Sequence, residues 1–98
     1  MPLKLILKFT KPNAETPSYV NHEIREKVRE FQTTSKILEE PKIEFSEDGL
    51  VETRTIIYDS EESARDFRRN EAAIENQRLR DEWCKANNVK FSFTVEEI

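Results

Sequence analysis

Glycine occurs only once in this chain of 98 residues, at Gly49. That excludes the loops that cradle phosphates in P-loop and dinucleotide-binding proteins, which need several glycines for close backbone approach. Cysteine also occurs once, as Cys84, so no internal disulfide can form and nothing points to a stapled, secreted framework. The single histidine, His22, has Glu26 four residues on as its one potential co-ligand, and two ligands make a poor metal site. Excess basic charge is missing too. Sixteen Lys and Arg stand against twenty Asp and Glu, a net charge of -4, which argues against general phosphate-neutralising nucleic-acid binding. No apolar run reaches the length of a signal peptide or a membrane span. Met1 leads straight into a strand pattern. The expectation is therefore a cytoplasmic protein with no membrane and no nucleic-acid partner.

What is present is organised. Apolar residues make up 36% and charged residues 37%, and the apolar ones fall in periodic runs, as folded chains require. The length suits one small domain over residues 1–98. The stretch Leu50 to Phe67, LVETRTIIYDSEESARDF, organises the rest. A ladder of β-branched residues breaks at Asp59-Ser60, and acids followed by Ala64 and Phe67 at helical spacing start a helix.

Leu3 to Thr10 alternates as a half-buried strand, with Leu3, Leu5, Leu7 and Phe9 on one side and Lys4, Ile6, Lys8 and Thr10 on the other. Thr16 as N-cap with Pro17 at the first position predicts a helix to about Gln32, its stripe being Val20, Ile24, Val28 and Phe31. Pro41 interrupts a second strand or marks it as an edge, and Ile43 and Phe45 give that strand its apolar face. Asp48-Gly49 predicts a hairpin. A loop of three residues, with Gly49 left-handed, would place Phe45 opposite Val51; a shorter loop would place it opposite Glu52. The first is the expectation, although it sets Glu44 against Glu52. A long helical pattern then runs from Ser60 to about Asn87, with two apolar stripes that require a bend near Asn70 to Asn76 or a turn to a second surface. Asn87-Asn88 closes it. Val89, Phe91, Phe93 and Val95 face inward from a last strand.

The order β-α-β-β-α-β predicts an α+β, ferredoxin-like domain: a four-stranded antiparallel sheet with two helices on one face and the first and third strands central. Its uncovered face is then expected to carry Lys4, Ile6, Lys8 and Thr10, then Glu52, Arg54, Ile56 and Tyr58, and Lys90, Ser92 and Thr94. Apolar residues centred on an uncovered sheet and ringed by charge suggest an interface.

The run TIIYDSEESARDF resembles the third strand and second helix of the dimeric α/β-barrel superfamily, which includes the antibiotic-biosynthesis monooxygenase-like and stress-responsive barrel families. The element order of the whole chain is similar as well. Members pair their open sheet faces around a small pocket, so the resemblance implies a homodimer; many relatives have no assigned activity, so it does not imply an enzyme.

No catalytic residue, cofactor-binding residue or metal ligand stands out. Cys84 near a helix C-terminus reads as a packed thiol, since the dipole there does not favour a thiolate. Trp83 with Leu79 reads as core or interface. Arg65, Arg68 and Arg69, interleaved with acids, read as a solvated, salt-bridged face. RNA-recognition domains share this element order but need stacking aromatics on the first and third strands, where this chain offers Ile6 and a terminal Tyr58. The expectation is a homodimeric, non-catalytic binding or interaction module that uses Ile6, Lys8, Arg54, Ile56 and Tyr58 at its contact and needs no cofactor. The alternative is a small cofactor-independent monooxygenase-like enzyme with a pocket at the open face.

Overall fold

Alternation at the start of the chain builds a central strand in the computed structural model, which describes residues 1–98. The strands are β1 (Leu3–Thr10), β2 (Lys42–Phe45), β3 (Val51–Tyr58) and β4 (Lys90–Glu97), and the helices are α1 (His22–Thr33), α2 (Glu61–Arg69) and α3 (Glu71–Ala86). The four strands form one antiparallel sheet in the order β2-β3-β1-β4. This is the ferredoxin-like α+β fold, with β1 and β3 in the middle.

Local chemistry sets most of the element ends. Ser60 caps α2 by accepting the Ser63 N–H, and Glu61 and Glu62 follow in the first turn, where carboxylates meet the positive end of the helix dipole. The long helical pattern is two helices. Asn70 ends α2 in extended backbone and caps α3 through its side chain, which accepts the Ala72 N–H. Asn88 takes a left-handed φ of 55° after α3, and the Val89 N–H bonds back to Cys84 O at 2.8 Å. That is a Schellman closure, with Val89 and Cys84 as its apolar pair. Ser35, at φ 61°, closes α1 in the same way: the Lys36 N–H reaches Phe31 O at 2.8 Å.

Two expectations about ends are corrected. The cap of α1 is Asn21, whose side chain accepts the N–H groups of Glu23 and Ile24. Thr16 is instead held in a turn by Asn13, so Val20 precedes the helix and is exposed. In the hairpin, Phe45 pairs with Glu52, not Val51. Ser46 decides this: its Oγ accepts the Val51 N–H and donates to Asp48, while Asp48 accepts the Leu50 N–H. Gly49 sits at φ 74° as expected. This register sets Glu44 opposite Thr53 and so avoids the opposition of Glu44 and Glu52.

Two clusters hold the layers together. Ile37, Tyr58, Ala64, Phe67 and Ala73 pack with Leu3, Leu5, Ile56 and the α1 residues Ile24, Val28 and Phe31. Phe9, Cys84 and Val89 pack with Leu7, Trp83 and Phe91. Burying each large apolar side chain contributes about 1.5–3 kcal/mol. Phe67 is the hinge of the first cluster, edge-on to Phe31 at 5.1 Å and 6.0 Å from Tyr58. Phe93 and Val95 lie on the helix side of the sheet as expected, yet are 62% and 48% exposed, because they sit on the outermost strand.

Candidate functional site

The pairing of β1 with β3 decides which side chains share a face. Leu3 opposes Tyr58, Leu5 opposes Ile56, Leu7 opposes Arg54 and Phe9 opposes Glu52. Side chains directly across a ladder point the same way, so Arg54, Ile56 and Tyr58 lie on the helix-covered face. Of the five residues expected on the open face, Ile6 and Lys8 are there; the face assignment of Arg54, Ile56 and Tyr58 is corrected. Tyr58 is 1% exposed inside the first cluster. Burial pushes its phenol well above the ordinary tyrosine range, with Arg68 opposing the shift.

The open face is a threonine-rich lattice with an apolar middle. Across it run Val51 and Thr10, then Thr53 and Lys8, Thr55 and Ile6, and Ile57 and Lys4. On the flanks stand Lys42 and Glu44 of β2, and Lys90, Ser92, Thr94 and Glu96 of β4. Ile6, Val51, Thr55 and Ile57 are all half-buried by their neighbours. Beside β2 the face dips into a groove of about 140 Å³ lined by Lys4, Lys42, Glu44, Glu39, Glu40, Thr55 and Ile57. The two charge signs there and the single apolar wall suit a polar contact better than an apolar substrate.

A second constellation, not expected from the sequence, lies under the loop between β1 and α1. Glu52 is 1% exposed. One carboxylate oxygen accepts the Ser18 hydroxyl at 2.7 Å and lies 3.7 Å from Lys11 Nζ; the other accepts Arg54 Nε at 2.5 Å. Arg54 also donates to Tyr19 O at 2.6 Å and stacks over the Phe9 ring at 5.0 Å. Lys11 Nζ stands 5.3 Å over the Phe45 ring. The Tyr19 hydroxyl donates to Asn76 Oδ1, which also accepts from Asn21. The cluster fastens the loop to the sheet and to α3. Its groups are engaged with one another, so its chemistry is structural: each buried charge has an opposite partner, as burial demands. A signal for it was present, because Glu52 and Arg54 alternate in step with Ile56 and Tyr58, so the face that buries the tyrosine must bury the charges.

The remaining candidates sit where their chemistry suggests. His22 is exposed at the start of α1. Cys84 is buried, and desolvation raises its thiol pKa against the pull of Arg80. Trp83 packs with Tyr19 at 5.7 Å. Arg65 pairs with Glu61 at 3.0 Å on the exposed side of α2. No three or more His, Cys, Asp or Glu side chains stand close enough to share a metal ion, and no helix is long and apolar enough to cross a membrane.

Among solved structures, the chain is similar to Rv0793 from Mycobacterium tuberculosis, at 16% identity and a TM-score of 0.62, over 100% of this chain and 95% of the other. It is similar to SnoaB, a cofactor-independent oxygenase from Streptomyces nogalater, at 6% identity and a TM-score of 0.61, over 99% and 92%. A candidate antibiotic-biosynthesis monooxygenase from Deinococcus radiodurans matches at 10% identity and a TM-score of 0.61, over 98% and 91%. At these identities the likeness is one of fold: the chain has the ferredoxin-like architecture of the antibiotic-biosynthesis monooxygenase-like proteins. No family model and no curated protein matches its sequence.

Proposed function

We propose that this protein is a non-catalytic interaction module that forms a homodimer through the open face of its sheet. The observation that carries this is the half-buried stripe of Ile6, Thr55, Ile57 and Val51 across the two central strands, ringed by lysines and by Glu44 and Glu96. Apolar residues at the centre with a polar rim are the anatomy of a protein contact, and two such faces stack with their strands roughly 30° apart. Filling of the interlayer space by Tyr58, Phe67, Ile37 and Phe31 also supports binding over turnover.

The test is solution mass by light scattering, on the native chain and on Ile57→Lys. A native mass that falls to half or less on substitution, with the fold retained, bears the proposal out; a native chain with the same mass as Ile57→Lys sinks it. Ile56→Lys would mislead, because Ile56 packs against the core and its substitution would damage that packing as well as any contact.

A second reading follows from the shared fold with SnoaB, the cofactor-independent oxygenase. An enzyme of that kind must open room for a substrate between the sheet and the helices. Oxygen consumption by the native protein with an added oxidisable organic substrate and no cofactor, lost in Phe67→Ala and Tyr58→Phe, would replace the interaction reading.

A further inference from the structure

The two edges of the sheet are finished differently. β2 spans only Lys42–Phe45, with Pro41 just ahead of it, which blunts it as a template for another strand. β4 runs for 8 residues with no proline. Its helix side carries Phe93 and Val95, 62% and 48% exposed, and Ile98 follows at 53%. An edge this long, with large apolar side chains in the open, is a surface built for pairing.

The backbone says which residues offer their groups. The Ile98 N–H bonds to Pro2 O at 3.2 Å, in step with the β1–β4 register. Alternation in an antiparallel ladder then turns Glu96, Thr94, Ser92 and Lys90 toward β1 and leaves the N–H and C=O groups of Phe91, Phe93, Val95 and Glu97 pointing outward. A second β4 laid antiparallel must match these outward groups with its own. If Phe93 lies on the two-fold axis opposite its own copy, Phe91 faces Val95 of the second copy. On the open side Ser92 then faces Thr94, and Lys90 faces Glu96. Both charges find opposite partners, and the exposed aromatic and aliphatic side chains meet across the axis. A slip of two residues one way puts Lys90 against Thr94 and Glu96 against Asn88; the other way puts Lys90 against Ile98 and Ser92 against Glu96. A slip of one residue sets hydrogen-bonding groups against positions whose groups point away. Only the register centred on Phe93 satisfies backbone phase and charge together.

We propose that the free edge of β4 is a self-recognition surface that pairs antiparallel with β4 of a second copy, centred on Phe93, to make one continuous sheet of two chains. This goes beyond the open-face dimer: it uses a different surface and leaves the open face free, so one chain has room for both contacts at once.

Cross-linking tests it, in a Cys84→Ser, Ile57→Lys background that removes the native thiol and the open-face contact together. Opposed, hydrogen-bonded residues lie about 5.5 Å apart, within disulfide reach, so Phe93→Cys should cross-link to its own copy under mild oxidation. Val95→Cys, opposite Phe91 and about 13 Å from its own copy at strand rise, should not. Separately, Lys90→Glu should weaken the association about tenfold by facing like charges across the axis, and Lys90→Glu with Glu96→Lys should restore it. Equal cross-linking at both positions, none at Phe93→Cys, or a charge reversal without effect would overturn the edge pairing, whatever the fate of the open-face dimer.

Discussion

Along the helix side of β3 two apolar residues give way to two charged ones, and the layer above changes with them. Tyr58 and Ile56 lie with α1, α2 and Phe67. Arg54 and Glu52 lie under the irregular segment that carries Ser18 and Tyr19. A helix satisfies its own backbone, so what it asks of the sheet is apolar surface. A loop brings carbonyls and hydroxyls that have lost water and need partners. Arg54 takes the Tyr19 carbonyl and Glu52 the Ser18 hydroxyl, while Lys11 and Arg54 balance the buried carboxylate. One face of one strand thus carries two kinds of core, chosen by what covers each.

The sharpest break in that comparison is Glu52→Ala. It strands Lys11 and Arg54 without their counter-charge and should cost about 3–5 kcal/mol of unfolding free energy, read by urea denaturation, with little dependence on salt because buried charges are poorly screened. At the apolar end, Phe67→Ala leaves a cavity between Phe31 and Tyr58 and should cost about 3 kcal/mol, near the low end for a buried phenylalanine. Replacing all three charges together, Lys11→Met with Glu52→Leu and Arg54→Met, should fall within about 1–2 kcal/mol of the native protein, since apolar packing often matches a buried ion cluster. A triple variant as unstable as Glu52→Ala alone would show that the polar groups of the loop, not the buried charges, set the cost. The smallest effect at neutral pH belongs to Tyr58→Phe. Burial raises the Tyr58 pKa, so the folded state favours the neutral phenol. The stability linked to it is complete below the unfolded value of about 10 and is lost as pH rises beyond it. The native protein should therefore lose stability above roughly pH 10 by a component that Tyr58→Phe lacks, a difference that thermal melts across that range would resolve.

Much of the architecture was legible in the chain. The helix start at Ser60, the left-handed closures at Asn88 and Gly49, the edge marked by Pro41 and the alternation of β1 and β4 each rest on chemistry within a few residues. The misplaced start of α1 came from two competing caps: Thr16-Pro17 offers the stronger local pattern, but Asn13 draws Thr16 into a turn and Asn21 caps the helix. Ser46 acted alike in the hairpin, replacing a backbone hydrogen bond with its side chain and shifting the register. The faces of the residues expected at the contact were legible in half. Ile6 and Lys8 followed from β1, whereas Arg54, Ile56 and Tyr58 were put on the wrong side because pairing Phe45 with Val51 instead of Glu52 slips β3 by one residue and exchanges its two faces.

By itself the sequence determined the order of the strands and helical stretches, most of their caps and the division of every strand into two opposed sets of side chains, because these depend on local geometry and on a period of two. Only the tertiary structure decided which set of β3 faces the helices. A strand that carries apolar and polar residues on both sides has no preference of its own. The choice was made by its neighbours: Leu3 and Leu5 drew Tyr58 and Ile56 into the core, and the loop above Phe9 supplied the partners that let Glu52 and Arg54 follow.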